Sequence, residues 1–311
     1  MKVGIVGAGM VGSAIMGDLL AQATISEIVL VDIDRDKAEG EVLDYSHTTS
    51  YNYNPSANLK AGDYSQLGNS DIIIITAGAS IKQGESRRDL AVKNSKIIRG
   101  VMEQITKYTT DALIIMVSNP VDIATYIAQS HVDYPKDRII GSGTLVDSAR
   151  LMKIIGDKYG IDPKNVFAYI LGEHGAGSFA TWSIANICGY NFKSFAQIKG
   201  IDLVLDKEDI ETEVKEIGFN IWRKKGYTNH GISAGVVRLV KAISLNENSV
   251  LPVSVVLQGK YGLEDVALSV PCIVGEDGIE KVLEFELSKS EEEKLQASAD
   301  SLQDIISSLE S

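Results

Sequence analysis

Cysteine is scarce: two in 311 residues, Cys188 and Cys272, far apart and set in apolar sequence. Such a pair supports neither a disulfide framework nor thiolate metal ligation. It reads as two buried thiols of a reducing compartment, and no metal site is expected. Positive charge is also in short supply. Thirty Lys and Arg face 42 Asp and Glu, a net charge of −12, and no block of basic residues occurs. That disfavours nucleic acid or an anionic membrane as partner and suits a protein handling small molecules. No apolar run approaches membrane-spanning length, and the first one begins at residue 3, so neither a transmembrane segment nor a signal peptide is expected. The expected location is the cytoplasm. Repeats and low-complexity linkers are absent as well. What remains is an ordinary hydrophobic fraction, 44%, in a chain long enough for two domains.

The strongest positive signal lies in the first ten residues. An apolar run at 3–6 leads into Gly7-Ala8-Gly9-Met10-Val11-Gly12, and Asp32 follows twenty positions after the last glycine. Strand, glycine turn and helix start in that order form a phosphate cradle. Gly7 permits the turn, Gly9 lets a pyrophosphate approach the backbone amides, and Gly12 lets the helix lie close on the sheet. Asp32 ends a second apolar run, where its carboxylate suits a ribose 2′-hydroxyl and opposes a 2′-phosphate. The pattern predicts NAD rather than NADP.

Further apolar runs at 72–75, 113–117 and 139–141 alternate with helical stretches near 11–23, 37–45 and 90–108. Runs that are apolar throughout fit parallel strands covered on both faces. The expected architecture is α/β: a doubly wound parallel Rossmann sheet over residues 1–144, then an α+β substrate domain over 145–311 that closes on the cofactor domain. Thr76-Ala77-Gly78 and Ser118-Asn119-Pro120 fall just past strand ends, where such sheets bind ligands. In the second half, helices are predicted near 146–159, 210–224, 232–242 and 290–309, and strands near 166–171, 250–257 and 266–274. Glu291-Glu292-Glu293 complements the dipole of the last helix and reads as a solvated face.

Nicotinamide carries the hydride itself, but reducing a 2-oxo acid still needs a proton donor, a cation for the carboxylate and a group to polarise the carbonyl. His174, in the glycine-flanked turn 171–178, is the candidate donor; taken alone, a loop histidine is more often an ordinary polar residue, and His47, His131 and His230 keep that reading. Asp147 and Arg150 stand three apart on one helix. They are either a helical ion pair or two working groups, one orienting His174 and one gripping a carboxylate with a two-pronged fork. The polar segment 78–88 is either a surface loop or a lid that brings Arg87 to a reacting carbonyl.

Together these segments resemble the L-lactate/malate dehydrogenase family over nearly the whole chain. The resemblance is carried by GAGMVGSA at 7–14, Asp32, TAGA at 76–79, GESRRDL at 84–90, VSNPVD at 117–122, GSGTLVDSARL at 141–151, LGEHG at 171–175 and KKGYTNHGI at 224–232. It implies an NAD-dependent enzyme with His174 as acid/base, Asp147 as its carboxylate partner, Arg87 as the lid arginine and Arg150 as the substrate-carboxylate binder. It further implies Asn119 at both substrate and nicotinamide ribose, Thr228 in the pocket and Ile232 against the nicotinamide. A homodimer or homotetramer is implied as well.

Departures from the family pattern bear on the substrate. Six residues before the lid arginine, where lactate enzymes usually carry glutamine and malate enzymes arginine, this chain has Ile81. Isoleucine cannot pair with a second carboxylate, and burying that charge alone costs several kcal/mol, so malate is disfavoured. Neighbouring Lys82 is the escape from this argument. Ala176 and Gly177 replace a polar pair, which predicts a roomier, less polar pocket. With residues 175–183, this is similar to the L-2-hydroxyisocaproate dehydrogenases. The expected activity is reversible hydride transfer between NADH and pyruvate or a bulkier apolar 2-oxo acid such as 2-oxoisocaproate or phenylpyruvate. An ordinary L-lactate dehydrogenase, a malate dehydrogenase and a non-catalytic NAD-binding relative are the alternatives. Met152 and Phe167 stand where many bacterial members hold fructose 1,6-bisphosphate with arginine and histidine, so activation by that ligand is not expected.

Overall fold

The computed structural model describes residues 1–310 other than 53, 55, 56, 81–83 and 85, with the side chains of 87 and 310 left aside. The first half alternates strand and helix. Strands β1 (Lys2–Val6), β2 (Glu27–Val31), β3 (Asn58–Ala61), β4 (Ile72–Ile75), β5 (Leu113–Met116) and β6 (Ile139–Gly141) are connected through helices α1 (Met10–Gln22), α2 (Arg35–Thr48), α3 (Arg87–Ile105) and α4 (Val121–His131). The strands pair in parallel in the order β3-β2-β1-β4-β5-β6. Chain direction across the sheet reverses between β1 and β4, which opens a crevice beyond their carboxyl ends. All four isoleucines of β4 are fully buried, as a strand covered on both faces demands.

The second half contains α5 (Leu145–Tyr159), the short strands β7 (Val166–Phe167), β8 (Ile170–Leu171), β9 (Phe179–Ala180) and β10 (Asn186–Ile187), and helices α6 (Phe192–Lys199), α7 (Lys207–Lys225) and α8 (His230–Ser244). Strands β11 (Ser249–Gln258), β12 (Glu264–Gly275) and β13 (Gly278–Val282) and helix α9 (Lys289–Glu310) complete it. Its long antiparallel strands do not form a sheet of their own. β11 pairs with β6 through Ser254 and Gly141, extending the parallel sheet to nine strands. A Cβ at Gly141 would stand 2.7 Å from that of Ser254 and 2.3 Å from Thr125 Oγ1, so the junction requires glycine. One hydrophobic core runs through both halves, and a smaller one lies around Leu151, Ile155, Tyr159 and Val214.

The doubly wound fold expected from the sequence is present, and the differences are local. The strand expected over 166–171 is two pieces, because β7 pairs with β10 while β8 pairs with β9. Cys272 is buried, but Cys188 is exposed, in a left-handed turn at φ 51° just after β10. Glu291 is not solvated. It is 5% exposed and accepts from the Ser183 and Ser288 amides at 3.0 and 2.8 Å, capping α9 and tying it to the segment after β9.

Candidate active site

The cofactor end is built by three glycines with separate reasons. Gly7 leaves β1 at φ +113°, a conformation side chains rarely adopt. A Cβ at Gly12 would come within 1.9 Å of the Gly7 carbonyl oxygen, so close packing of α1 on β1 fixes that residue. A Cβ at Gly9 would meet nothing within 4 Å. Internal packing therefore does not explain Gly9; space kept open in front of the helix does. Gly9 is the N-cap of α1, and no side chain bonds its first amides. Free amides at a helix start, with the dipole behind them, fit a pyrophosphate.

Asp32 follows β2 and turns toward this cradle. It accepts from the amide of Ala8 at 2.6 Å and from that of Asp34 at 2.9 Å, through different oxygens. Each oxygen keeps a further lone pair for a hydroxyl, and the negative charge opposes a phosphate. Ile33, beside it, is a fully exposed apolar residue. Thr76 donates to the Gly7 carbonyl at 3.0 Å, while Ser118 donates to the Ala77 carbonyl at 2.6 Å. The loops beyond β1, β4 and β5 are thereby laced together. Asn94 of α3, 2% exposed, completes the lacing. It accepts from the Ala79 amide at 2.8 Å and donates to the Asn119 carbonyl at 2.6 Å. Gly78 packs on the same amide, where a Cβ would lie 3.2 Å from Asn94 Nδ2.

The second half contributes the charged groups. Helix α5 presents Asp147 and Arg150, and the turn after β8 presents His174. Asp147 joins all three: its Oδ2 lies 2.6 Å from His174 Nδ1, and its Oδ1 accepts from Arg150 Nη1 at 2.8 Å. The ion pair and the histidine contact thus coexist on one carboxylate, whose side chain is 8% exposed. Burial would push that carboxyl up, but the imidazole and then the guanidinium outweigh it and hold it below its ordinary value. Burial would likewise push His174 down; Asp147, with a smaller contribution from Asp122, outweighs it and raises the imidazole. With Nδ1 committed to Asp147, Nε2 is the ring nitrogen left for a ligand.

Two cavities meet at these groups. One, of about 560 Å³, is lined by Ile123, Ala176, Phe219, Trp222 and Ile305 among others. The other, about 470 Å³, is lined by Val11, Val117, Ser142, Gly143 and Ile232 among others. Asn119, Arg150, His174 and Thr228 border both. The four come from four separate stretches of chain, and only folding brings them together. Val11 and Ile232 lie on the cofactor side, whereas Met10, at 52% exposure, lines neither cavity. Ile81 falls outside the described residues, as does the side chain of Arg87.

Some placements were not read from the sequence. Gly177 does not enlarge the pocket. A Cβ there would meet Glu173 Oε2 at 2.8 Å and Ser298 Oγ at 3.1 Å, so its missing side chain faces protein, and only Ala176 lines the cavity. Asp122 and Asn94, both buried, were overlooked: each lies within or near a motif, but which backbone groups they hold depends on distant loops. His230, read as an ordinary polar residue, lines the second cavity at the start of α8. Among the described residues, no group of His, Cys, Asp or Glu is placed to hold a metal ion. No helix among them is long and apolar enough to cross a membrane.

Comparison with known proteins agrees with this geometry. Residues 1–141 match the family model for the lactate/malate dehydrogenase NAD-binding domain, and residues 144–311 match that family's alpha/beta C-terminal domain. L-lactate dehydrogenase 2 of Clostridium acetobutylicum is 51% identical over 310 residues, 99% of this chain and 97% of that protein. An L-lactate dehydrogenase of Clostridium botulinum is 41% identical over 306 residues, 98% of this chain and 96% of its own. The crystal structure of MGS-M5, a lactate dehydrogenase from a Medee basin deep-sea metagenome library, superposes with TM-score 0.95 at 35% identity, covering 100% of this chain and 99% of that one. The minor L-lactate dehydrogenase of Enterococcus mundtii gives TM-score 0.94 at 34% identity, covering 99% and 98%. Cradle, buried triad and full-length matches agree: the chain belongs to the lactate/malate dehydrogenase family and is an NAD-dependent 2-hydroxy-acid dehydrogenase of the L-lactate type.

Proposed function

We propose that this enzyme interconverts pyruvate and L-lactate and also accepts 2-oxo acids with bulkier apolar side chains. The observation that carries the reading is the border shared by the two cavities, where His174, Arg150, Asn119 and Thr228 stand between a cofactor side and an apolar substrate side. Residues 1–144 act as the cofactor unit and 145–311 as the substrate unit. When bound, NADH supplies a hydride at C4 of its nicotinamide ring. The free amides at the Gly9 cap, in the turn that Gly7 and Gly12 make possible, would seat the pyrophosphate, Asp32 would take the ribose hydroxyls, and Val11 and Ile232 would border the ring. Met10, Thr76, Ala77 and Gly78 border its path.

Arg150 takes the substrate carboxylate through its guanidinium fork. Asp147 keeps Nδ1 of His174 engaged, so that Nε2 donates a proton to the carbonyl oxygen in reduction and removes it from the hydroxyl in oxidation. Asn119 and Thr228 orient the substrate between these groups. Arg87 is carried over from the family resemblance as the residue that polarises the carbonyl. Ile123, Ala176, Phe219, Trp222 and Ile305 line the space that takes the side chain of the oxo acid. That lining offers apolar area to an isobutyl or benzyl group, and Ile81 offers nothing to a second carboxylate.

The test is kcat/KM for pyruvate, 2-oxoisocaproate, phenylpyruvate and oxaloacetate, in the parent and in Ile81→Gln. The parent is expected to rank oxaloacetate last and to accept at least one bulky substrate within about a hundredfold of pyruvate. Ile81→Gln should shift preference toward pyruvate. Preference for oxaloacetate overturns the substrate assignment. Rejection of both bulky acids reduces it to an ordinary lactate dehydrogenase.

A further inference from the structure

We propose that Asp122 is a positioning residue for His174: its buried carboxylate fixes the peptide that carries the imidazole and couples the imidazole's proton affinity to a second acid. Asp122 lies in the first turn of α4 and is 2% exposed. Its Oδ2 accepts from the backbone amide of His174 at 2.7 Å, and its Oδ1 accepts from Ser254 Oγ at 2.6 Å. One side chain thus joins α4, strand β11 and the catalytic turn after β8. The imidazole is held from two directions, Asp147 at the ring and Asp122 at the main chain.

A neutral amide would make comparable bonds without burying a charge, and among the described residues no lysine or arginine forms an ion pair with Asp122. The positive group it faces is His174 itself. Burial pushes the Asp122 carboxyl up to about 6, against the pull of Ser254 and the His174 amide, with Glu173 adding to the rise. The carboxyl therefore titrates close to an imidazole's ordinary range, and the two groups titrate as a coupled pair. Above about pH 6 the charged carboxylate favours a protonated ring; below it that support is withdrawn. Other charges face the ring: Asp147 and Arg150 from α5, Glu173 from its own turn, and Lys215 across the cavity from α7.

The proposal rests on His174 being the proton donor, so its test reads the ring without substrate or cofactor. Nuclear magnetic resonance of labelled histidine follows the four imidazoles against pH, with His174→Gln identifying the signal. In the parent, the His174 curve is expected to show a second inflection near pH 6. In Asp122→Asn that inflection disappears and the ring titrates roughly half to one pH unit lower. Ser254→Ala, which keeps the carboxylate, retains both inflections. A single inflection in the parent overturns the coupling, whether or not Asp122→Asn folds. An unmoved ring in a folded Asp122→Asn does the same. Either result leaves the 2-oxo-acid reading intact, since that is decided by turnover.

Discussion

Asp147 carries two cationic partners on one buried carboxylate, and the pH behaviour of the site follows from that. The imidazole is raised and the carboxylate lowered by the same contact. Stability from raised His174 is fully present below its ordinary 6.5 and is lost as pH rises through the higher folded value. Stability from lowered Asp147 is present above its ordinary 3.8 and is lost as pH falls through the lower folded value. The two gains overlap between these limits. Asp122 opposes them, since its raised carboxyl costs stability as pH climbs from 3.8 to about 6. In catalysis, reduction needs the protonated ring, so its kcat/KM should fall as pH rises through the imidazole value while oxidation gains. His174→Gln should lower kcat about 10²–10⁴-fold and abolish that pH dependence. Arg150→Lys should lower kcat/KM about 10- to 100-fold with folding intact, because one prong of the fork is lost. Stopped-flow turnover across pH checks both; an unchanged profile in His174→Gln removes His174 from the chemistry.

Helix α1 and its glycine turn separate packing from ligand binding. Gly12→Ala forces a methyl toward the Gly7 carbonyl, so the helix must shift; a loss of about 1–3 kcal/mol is expected, read as a lower Tm. Gly9→Ala meets no protein atom and should leave Tm near the parent while weakening NADH binding, read by fluorescence titration. Equal losses in both would mean that the space before α1 has no role in binding. Elements differ in how openly the sequence displays them. β4 is four isoleucines, and α5 has an apolar face ended by Gly160 in the left-handed conformation. α4 was not among the expected helices, and eight of its eleven residues are buried. β3 was overlooked because its four-residue run at the sheet edge is half polar, Asn58 and Lys60 alternating with Leu59 and Ala61. The motifs singled out His174, Asp147 and Arg150, which the fold brings together, but they did not display Asn94 or Asp122. Those side chains act on backbone groups far along the chain, and no spacing rule encodes such contacts.

At the scale of the whole molecule, a nine-stranded sheet is shared by the two sequence halves, and the candidate site lies where they meet. We expect a homodimer or homotetramer that fructose 1,6-bisphosphate does not activate. Phe167 is 41% exposed and packs on Tyr169, and neither it nor Met152 can bind a phosphate. Sedimentation and pyruvate saturation should be the same with and without the bisphosphate; a several-fold fall in half-saturation overturns this. What the sequence by itself determined was the doubly wound fold, the NAD cradle and the chemical types of the acting groups. Each rests on local steric rules or on short spacings within one element. Tertiary structure alone decided that β11 joins β6, that Asp147 bridges histidine and arginine, and that Gly177 faces protein instead of substrate. Those outcomes depend on contacts between segments distant in the chain: β11 against β6, the turn after β8 against α5, and that same turn against Ser298 of α9, where a difference of one ångström decides contact or space.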